Sequence, residues 1–117
     1  MGLMLTLICG LPNAGKTTGY PDALHQDEIG TTENVCAAIS RIDGDATIEG
    51  CFPTAKCRRK VREAYRGAAR CVFIDISVEE SVRREDRNRH ETILRNAARF
   101  FEPPTYAEGW DEIEVIR

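Results

Sequence analysis

The chain opens on a nearly unbroken apolar run, residues 3–9 (LMLTLIC). A run of strand length without polar alternation predicts a parallel strand buried on both faces. Residues 10–18 follow as a glycine-rich turn that opens a helix. Pro21 lacks an amide hydrogen and clashes with the preceding turn, so it must end or kink that helix early. Residues 23–26 could form a second short strand leading to Asp27. Thr31 or Thr32 caps a helix to about Arg41, with Val35, Ala38, Ile39 and Ile42 at helical spacing. Residues 43–45 turn about Gly44, and 46–49 read as a third short strand. A basic helix over 54–67 ends at Gly67, where glycine suits the left-handed cap. Residues 71–76 (CVFIDI) predict a fourth strand. Ser77 and Glu80 have the spacing of a capping box. The helix they start, or two helices broken near 88–90, runs to about Phe101, and Pro103 and Pro104 stop it. Gly109 begins a last strand over 110–116.

Strands that alternate with helices imply a parallel sheet with helices on both faces. A length of 117 residues fits one domain. The apolar share of 42% and charged share of 30% are ordinary for a globular chain and exclude disorder as the default. No apolar run approaches the roughly 20 residues of a transmembrane helix. Residues 3–9 are also short for a signal-peptide core, and no basic segment precedes them. The expectation is a soluble, cytoplasmic protein. Its five cysteines (Cys9, Cys36, Cys51, Cys57 and Cys71) form no C-x-x-C pair, which argues against zinc and for reduced thiols.

Charge changes the picture more. Residues 56–99 carry thirteen Lys/Arg against seven Asp/Glu, whereas the rest carries three against twelve. The basic half either holds a phosphorylated ligand or consists of solvated helix faces.

The segment Gly10-Leu11-Pro12-Asn13-Ala14-Gly15-Lys16-Thr17 matches the pattern G-x-x-x-x-G-K-[ST], directly after an apolar strand. Glycines let the backbone curl so that successive N–H groups converge on phosphate oxygens, and a helix N-terminus adds partial positive charge. Lys16 supplies a mobile cation for the β- and γ-phosphates, and the Thr17 hydroxyl is a magnesium ligand. Gly10, Pro12, Asn13, Ala14, Gly15, Lys16, Thr17 and Thr18 are thus the candidate nucleotide-binding residues. The implied ligands are ATP or GTP with Mg2+, and the implied fold is a P-loop NTPase three-layer α/β sandwich. It would have about five mostly parallel strands in a minimised adenylate-kinase-like topology.

A second string separates kinases from other users of this loop. Phe100-Phe101-Glu102-Pro103-Pro104-Thr105, continued by Glu108-Gly109-Trp110, resembles the F-E-x-P-T-x-x-E-G-[FW] signature of polynucleotide-kinase-like P-loop kinases. These include the phage 5′-polynucleotide kinase and the kinase domain of the animal polynucleotide kinase/phosphatase, and the resemblance spans nearly the whole chain. It implies that Asp27 is the general base for the accepting hydroxyl. It implies an arginine-rich lid within the helical region 78–101, in which Arg87, or Arg84 one turn away, neutralises the transferring phosphoryl group. The sequence departs from the family in two places. Glu49 stands where the family has Asp, with a suggested role near magnesium-bound water or the acceptor. The helix after the phosphate loop is far shorter than usual.

The reading is therefore an ATP-dependent phosphotransferase acting on a hydroxyl acceptor, with a DNA or RNA 5′-hydroxyl end as the implied acceptor and the basic 56–70 helix as its contact. Tyr20, Phe52, Tyr65 and Tyr106 are the aromatic candidates for stacking a base. The alternatives are a kinase for a nucleoside, sugar or antibiotic hydroxyl, a non-catalytic nucleotide-binding regulatory protein, or a slow ATPase.

Overall fold

The opening apolar run becomes the middle of the sheet. In the computed structural model, which describes residues 3–117, β1 (Met4–Gly10) pairs in parallel with β3 (Ala46–Glu49) on one side and β4 (Ala68–Ile74) on the other. The short β2 (Leu24–His25) and the last strand β5 (Glu112–Ile116) are the two edges. The order is β2-β3-β1-β4-β5 and every pairing is parallel. The chain crosses from one side of β1 to the other between β3 and β4. Such a switch point leaves a crevice at the carboxyl ends of the strands, where parallel α/β sheets place their ligands.

Leu5, Leu7 and Cys9 of β1 share one core with Ile48, Ala69, Cys71 and Phe73 of the neighbouring strands. Over it lie Val35 and Ile39 of α3 (Thr32–Ser40) and Val61 of α4 (Ala55–Ala64). α3 starts at Thr31 and α4 at Thr54, and each threonine side chain accepts the backbone N–H three residues on. α4 stops at Ala64, short of Gly67. Tyr65 leaves the helix to bury its ring in the core and donates its hydroxyl to the Gly44 carbonyl.

β4 begins at Ala68, three residues before the apolar run, because its register on β1 starts at the Met4–Ala68 pair. The region 78–101 splits into α5 (Val78–Arg83) and α6 (Glu91–Phe100). The break between them, over 84–90, is wider and earlier than the sequence suggests. Ser77 accepts the Glu80 amide as expected, but the Glu80 carboxylate turns to Arg83 and Arg84 rather than closing the box.

The signature string at 100–110 forms a buried lock between α4, the segment after β3 and the C-terminal region. The fully buried Arg58 guanidinium donates to both Glu108 carboxylate oxygens and to the carbonyls of Phe52 and Glu102. Glu108 also accepts the Trp110 indole N–H and the Thr105 amide, closing a capping box on the 3-10 turn Tyr106–Glu108. Trp110 is thereby turned inward, and β5 starts two residues after it. No side-chain nitrogen or oxygen buried among the described residues lacks a partner, so every charge taken from water in this lock is compensated.

All five cysteines are free thiols, and Cys9 and Cys71 lie buried with their sulfurs 3.8 Å apart. Among the described residues no helix is long and apolar enough to cross a membrane.

Candidate active site

Immediately after β1 the chain needs conformations that side chains resist. A Cβ on Gly10 would lie 2.7 Å from the Ile74 carbonyl oxygen, so only glycine lets β1 end this close to β4. Gly15 sits at φ 94°, in the left-handed region glycine favours, and delivers the chain into α1 (Lys16–Gly19). Asn13 also takes a positive φ of 68°, which its short polar side chain tolerates. α1 is only four residues long, as Pro21 requires. A dipole of one turn contributes little, so anion binding at this loop rests on its N–H groups and on Lys16.

Lys16 is buried and curls back over the loop. Its Nζ donates to the carbonyls of Gly10 at 3.0 Å and Leu11 at 2.7 Å. Its charge is thus held at the start of the loop, 3.9 Å from the Cys51 sulfur. Beside it, the Thr17 hydroxyl lies 3.5 Å from a Glu49 oxygen at the end of β3. The same oxygen meets His25 Nδ1 at 2.7 Å. This contact, ahead of the opposing effect of desolvation, raises the His25 pKa above its ordinary value. Replacing Glu49 by Gln removes the main cause, so the His25 titration midpoint should fall toward the ordinary histidine range in an NMR pH titration. An unchanged midpoint would mean the contact is not formed in solution.

The cleft in front of the loop has a volume of about 490 Å³. Lys16, Arg84, Arg87 and Arg89 bring four cations to it, and Asp27, Glu49 and Asp86 bring three carboxylates. Pro12, Asn13, Ala14, Gly15, Thr17 and Thr18 line it as well. Asp27 stands in the first turn of α2 (Gln26–Ile29), directly after β2. The sequence-predicted nucleotide, base and lid residues therefore converge on one space, with Gly10 behind the loop.

The lid is tied to the loop through Asn13. Its amide nitrogen donates to the Ser81 carbonyl and to Glu85, its side-chain oxygen accepts from Arg89, and its backbone carbonyl accepts from Arg84. Glu85 further gathers the Arg89 guanidinium and the amides of Arg87 and Arg89. Hydrogen bonds from Arg89, then Asn13, hold the Glu85 carboxyl down at about 2. A lowered pKa keeps the clasp ionised above that value, and it loosens only as pH falls through it. Glu85→Gln should speed amide exchange at Arg87 and Arg89 at neutral pH, read by hydrogen–deuterium exchange. Unchanged protection would show that the clasp does not order the lid.

Arg89 and Glu85 fall within the arginine-rich lid string, but sequence reasoning gave neither a role of its own. Their signal was a carboxylate and a guanidinium four residues apart, which on an intact helix reads as an ordinary surface pair. Arg87, by contrast, lines the cleft while its guanidinium has no hydrogen-bond partner among the described residues.

Other expectations are corrected. No residue of α4 lines the cleft. Arg58 is consumed in the buried lock and Arg62 reaches Gly109 and Asp111, so the basic helix does not serve as a contact for acceptor phosphates at this cleft. No aromatic lines the cleft either: Phe52 and Tyr65 belong to the core, and the Tyr106 hydroxyl accepts the Ile113 amide.

Among the described residues no cluster of three His, Cys, Asp or Glu side chains is placed to hold a metal by itself. The hard oxygen donors Thr17 and Glu49 nevertheless fit magnesium, which takes one or two protein oxygens and completes its shell with phosphate oxygens and water.

A parallel sheet with this order and a phosphate loop at the carboxyl end of its central strand define a P-loop NTPase α/β sandwich. No protein-family model and no curated protein matches the chain. Among solved structures, the chain is similar to a gluconokinase from Sinorhizobium meliloti 1021, with a TM-score of 0.69 and 17% identity over 97% of this chain and 81% of that one. The likeness shows the fold and stops short of the polynucleotide-kinase group.

Proposed function

We propose that the protein transfers the γ-phosphoryl group of ATP to the hydroxyl of a small molecule. The observation that carries this reading is the convergence of Lys16, Asp27 and the lid arginines on one cleft beside the phosphate loop.

In this reading the loop amides and Lys16 hold the triphosphate, and Thr17 and Glu49 hold magnesium. Magnesium held by these two side chains would supply positive charge that offsets part of the triphosphate's. Asp27 accepts the hydroxyl proton as the acceptor oxygen bonds to phosphorus, while the bond from phosphorus to the bridging oxygen breaks and ADP leaves. Arg87, free to move, faces the charge that spreads over the transferring group, with Arg84 and Arg89 behind it. Catalysis of this kind is mostly positioning, which a small chain can supply.

One feature of the cleft favours a small acceptor over a nucleic-acid end: no aromatic side chain that lines it offers a stacking platform. The similarity to a gluconokinase points the same way.

The test offers γ-labelled ATP with a panel of small alcohols, sugars and nucleosides, in parallel with 5′-hydroxyl DNA and RNA. Label on a small molecule, reduced about 10²- to 10⁴-fold by Asp27→Asn with ATP binding kept, is the expected result. Label on the oligonucleotides alone would overturn the small-acceptor reading. ATP binding without any phosphorylated product would point to a regulatory nucleotide-binding protein.

A further inference from the structure

A second hollow opens beside the phosphate cleft. It has a volume of about 310 Å³ and is walled by Leu11 and Pro12 of the loop, Pro53 after β3, and Ile93, Ala97 and Phe100 of α6. Cys51 and Pro12 line both spaces, so the two adjoin. We infer that this groove holds the apolar body of the acceptor, an aryl or alkyl alcohol whose hydroxyl reaches the transfer centre past Cys51. The inference rests on the kinase reading and names the substrate class for it.

Position is the first argument. Lys16 is the side chain that addresses the β- and γ-phosphates. Its Nζ bonds the Leu11 carbonyl and lies 3.9 Å from the Cys51 sulfur, so the mouth of the groove is at the γ end of the triphosphate. Whatever fills the groove therefore borders the group being transferred.

The walls supply the second argument. No charged side chain lines the groove. Its polar side chains are Asn96 and Thr54, and the Thr54 hydroxyl already accepts the Cys57 amide as the cap of α4. A polyol placed here would strip water from several hydroxyls and find few partners, and a phosphate would find no cation. An apolar body loses nothing of this kind. Ile93 and Phe100 lie two helical turns apart on α6 and remain 58% and 66% exposed, large apolar surface beside an otherwise charged cleft. A pocket that combines apolar walls with a few polar groups at one end suits a ligand with one reactive hydroxyl.

The experiment uses the full chain with ADP and magnesium, and titrates 3-phenylpropan-1-ol and gluconate by calorimetry. Ala97→Trp fills the groove from its half-buried floor, and Phe100→Ser removes an exposed wall, so that one of the two survives if the other misfolds. Circular dichroism and thermal melting serve as the folding control. Measurable binding of the aryl alcohol, weakened at least tenfold in both variants, is expected, with gluconate absent from the groove. Equal behaviour of the two probes, or aryl-alcohol binding that ignores both variants, overturns the inference. So does a loss of ADP affinity in well-folded Ala97→Trp, because the groove would then take the nucleotide base. Concentration-dependent dimerisation abolished by Ala97→Trp would assign the groove to a second copy and overturn it as well. Failure of the two readings is separable. Aryl-alcohol binding without phosphoryl transfer to any member of the acceptor panel refutes the kinase reading, and the acceptor role with it, but leaves the groove as an apolar site. Phosphorylation of a polyol without aryl-alcohol binding refutes the groove and leaves the kinase reading intact.

Discussion

Lys16→Ala is expected to lower phosphoryl transfer by at least about 10³-fold, since a preorganised charge facing the transition state is worth that much when removed from a water-poor site. The side chain is buried and its Nζ is held by two carbonyls, so its position is set before any nucleotide arrives. With α1 reduced to one turn, there is no long helix dipole behind the loop to compensate. Nucleotide binding should weaken together with turnover, measured by calorimetry and by ADP release. Circular dichroism should show the fold retained, because the loop conformation depends on Gly10 and Gly15 rather than on the lysine. Turnover within tenfold of the parent would refute the assigned role of Lys16.

The largest effect on stability is expected at the buried Arg58–Glu108 lock. Glu108→Ala leaves the Arg58 guanidinium buried with two of its four hydrogen bonds and its carboxylate partner gone. Breaking a buried pair in this way costs about 3–5 kcal/mol, a large part of the roughly 5–15 kcal/mol that holds a domain of this size. A fall in Tm on the order of 10–20 °C follows. Thermal melts and urea titrations measure it, and a loss below about 1 kcal/mol would show the lock to be dispensable. The double variant Arg58→Met with Glu108→Leu removes both charges and should recover much of the loss.

The lock also has a pH signature. Burial disfavours the Glu108 carboxylate, but hydrogen bonds from Arg58, Trp110 and the Thr105 amide outweigh it and leave its pKa lowered. A depressed folded pKa contributes stability that is present above the unfolded value near about 4.3 and is lost as pH falls through the folded one. The parent should therefore lose stability below about pH 4, and the double variant should lose less of it.

Much of the fold was legible because local rules and global packing agree. The apolar residues 3–9 can be satisfied only between two neighbours, and β1 lies there. Pro21 ends α1, Thr31 and Ser77 cap their helices, and the residues from Gly10 to Thr17 define the phosphate loop. Edges were less legible. β2 has two residues, and its pairing with β3 rather than any local propensity makes it a strand. The start of β4 follows its register on β1, which no property of Ala68 announces.

The site divides in the same way. The sequence alone marked the phosphate loop with Lys16 and Thr17, because glycines at forced backbone conformations and a lysine at fixed spacing carry their chemistry locally; Asp27 entered only through the family resemblance. Only the tertiary structure decided which basic residues face the cleft. Arg58 and Arg87 are alike in sequence, yet one is enclosed by Glu108 and two carbonyls while the other stands free at the mouth. It decided, too, that Glu49 joins His25 to Thr17, that Asn13 ties the lid to the loop, and that an apolar groove adjoins the cleft. The physical reason is that a side chain's charge is a property of its residue type. Its partners, its desolvation and the space it faces are set by contacts between segments as many as 76 residues apart, as from Asn13 to Arg89.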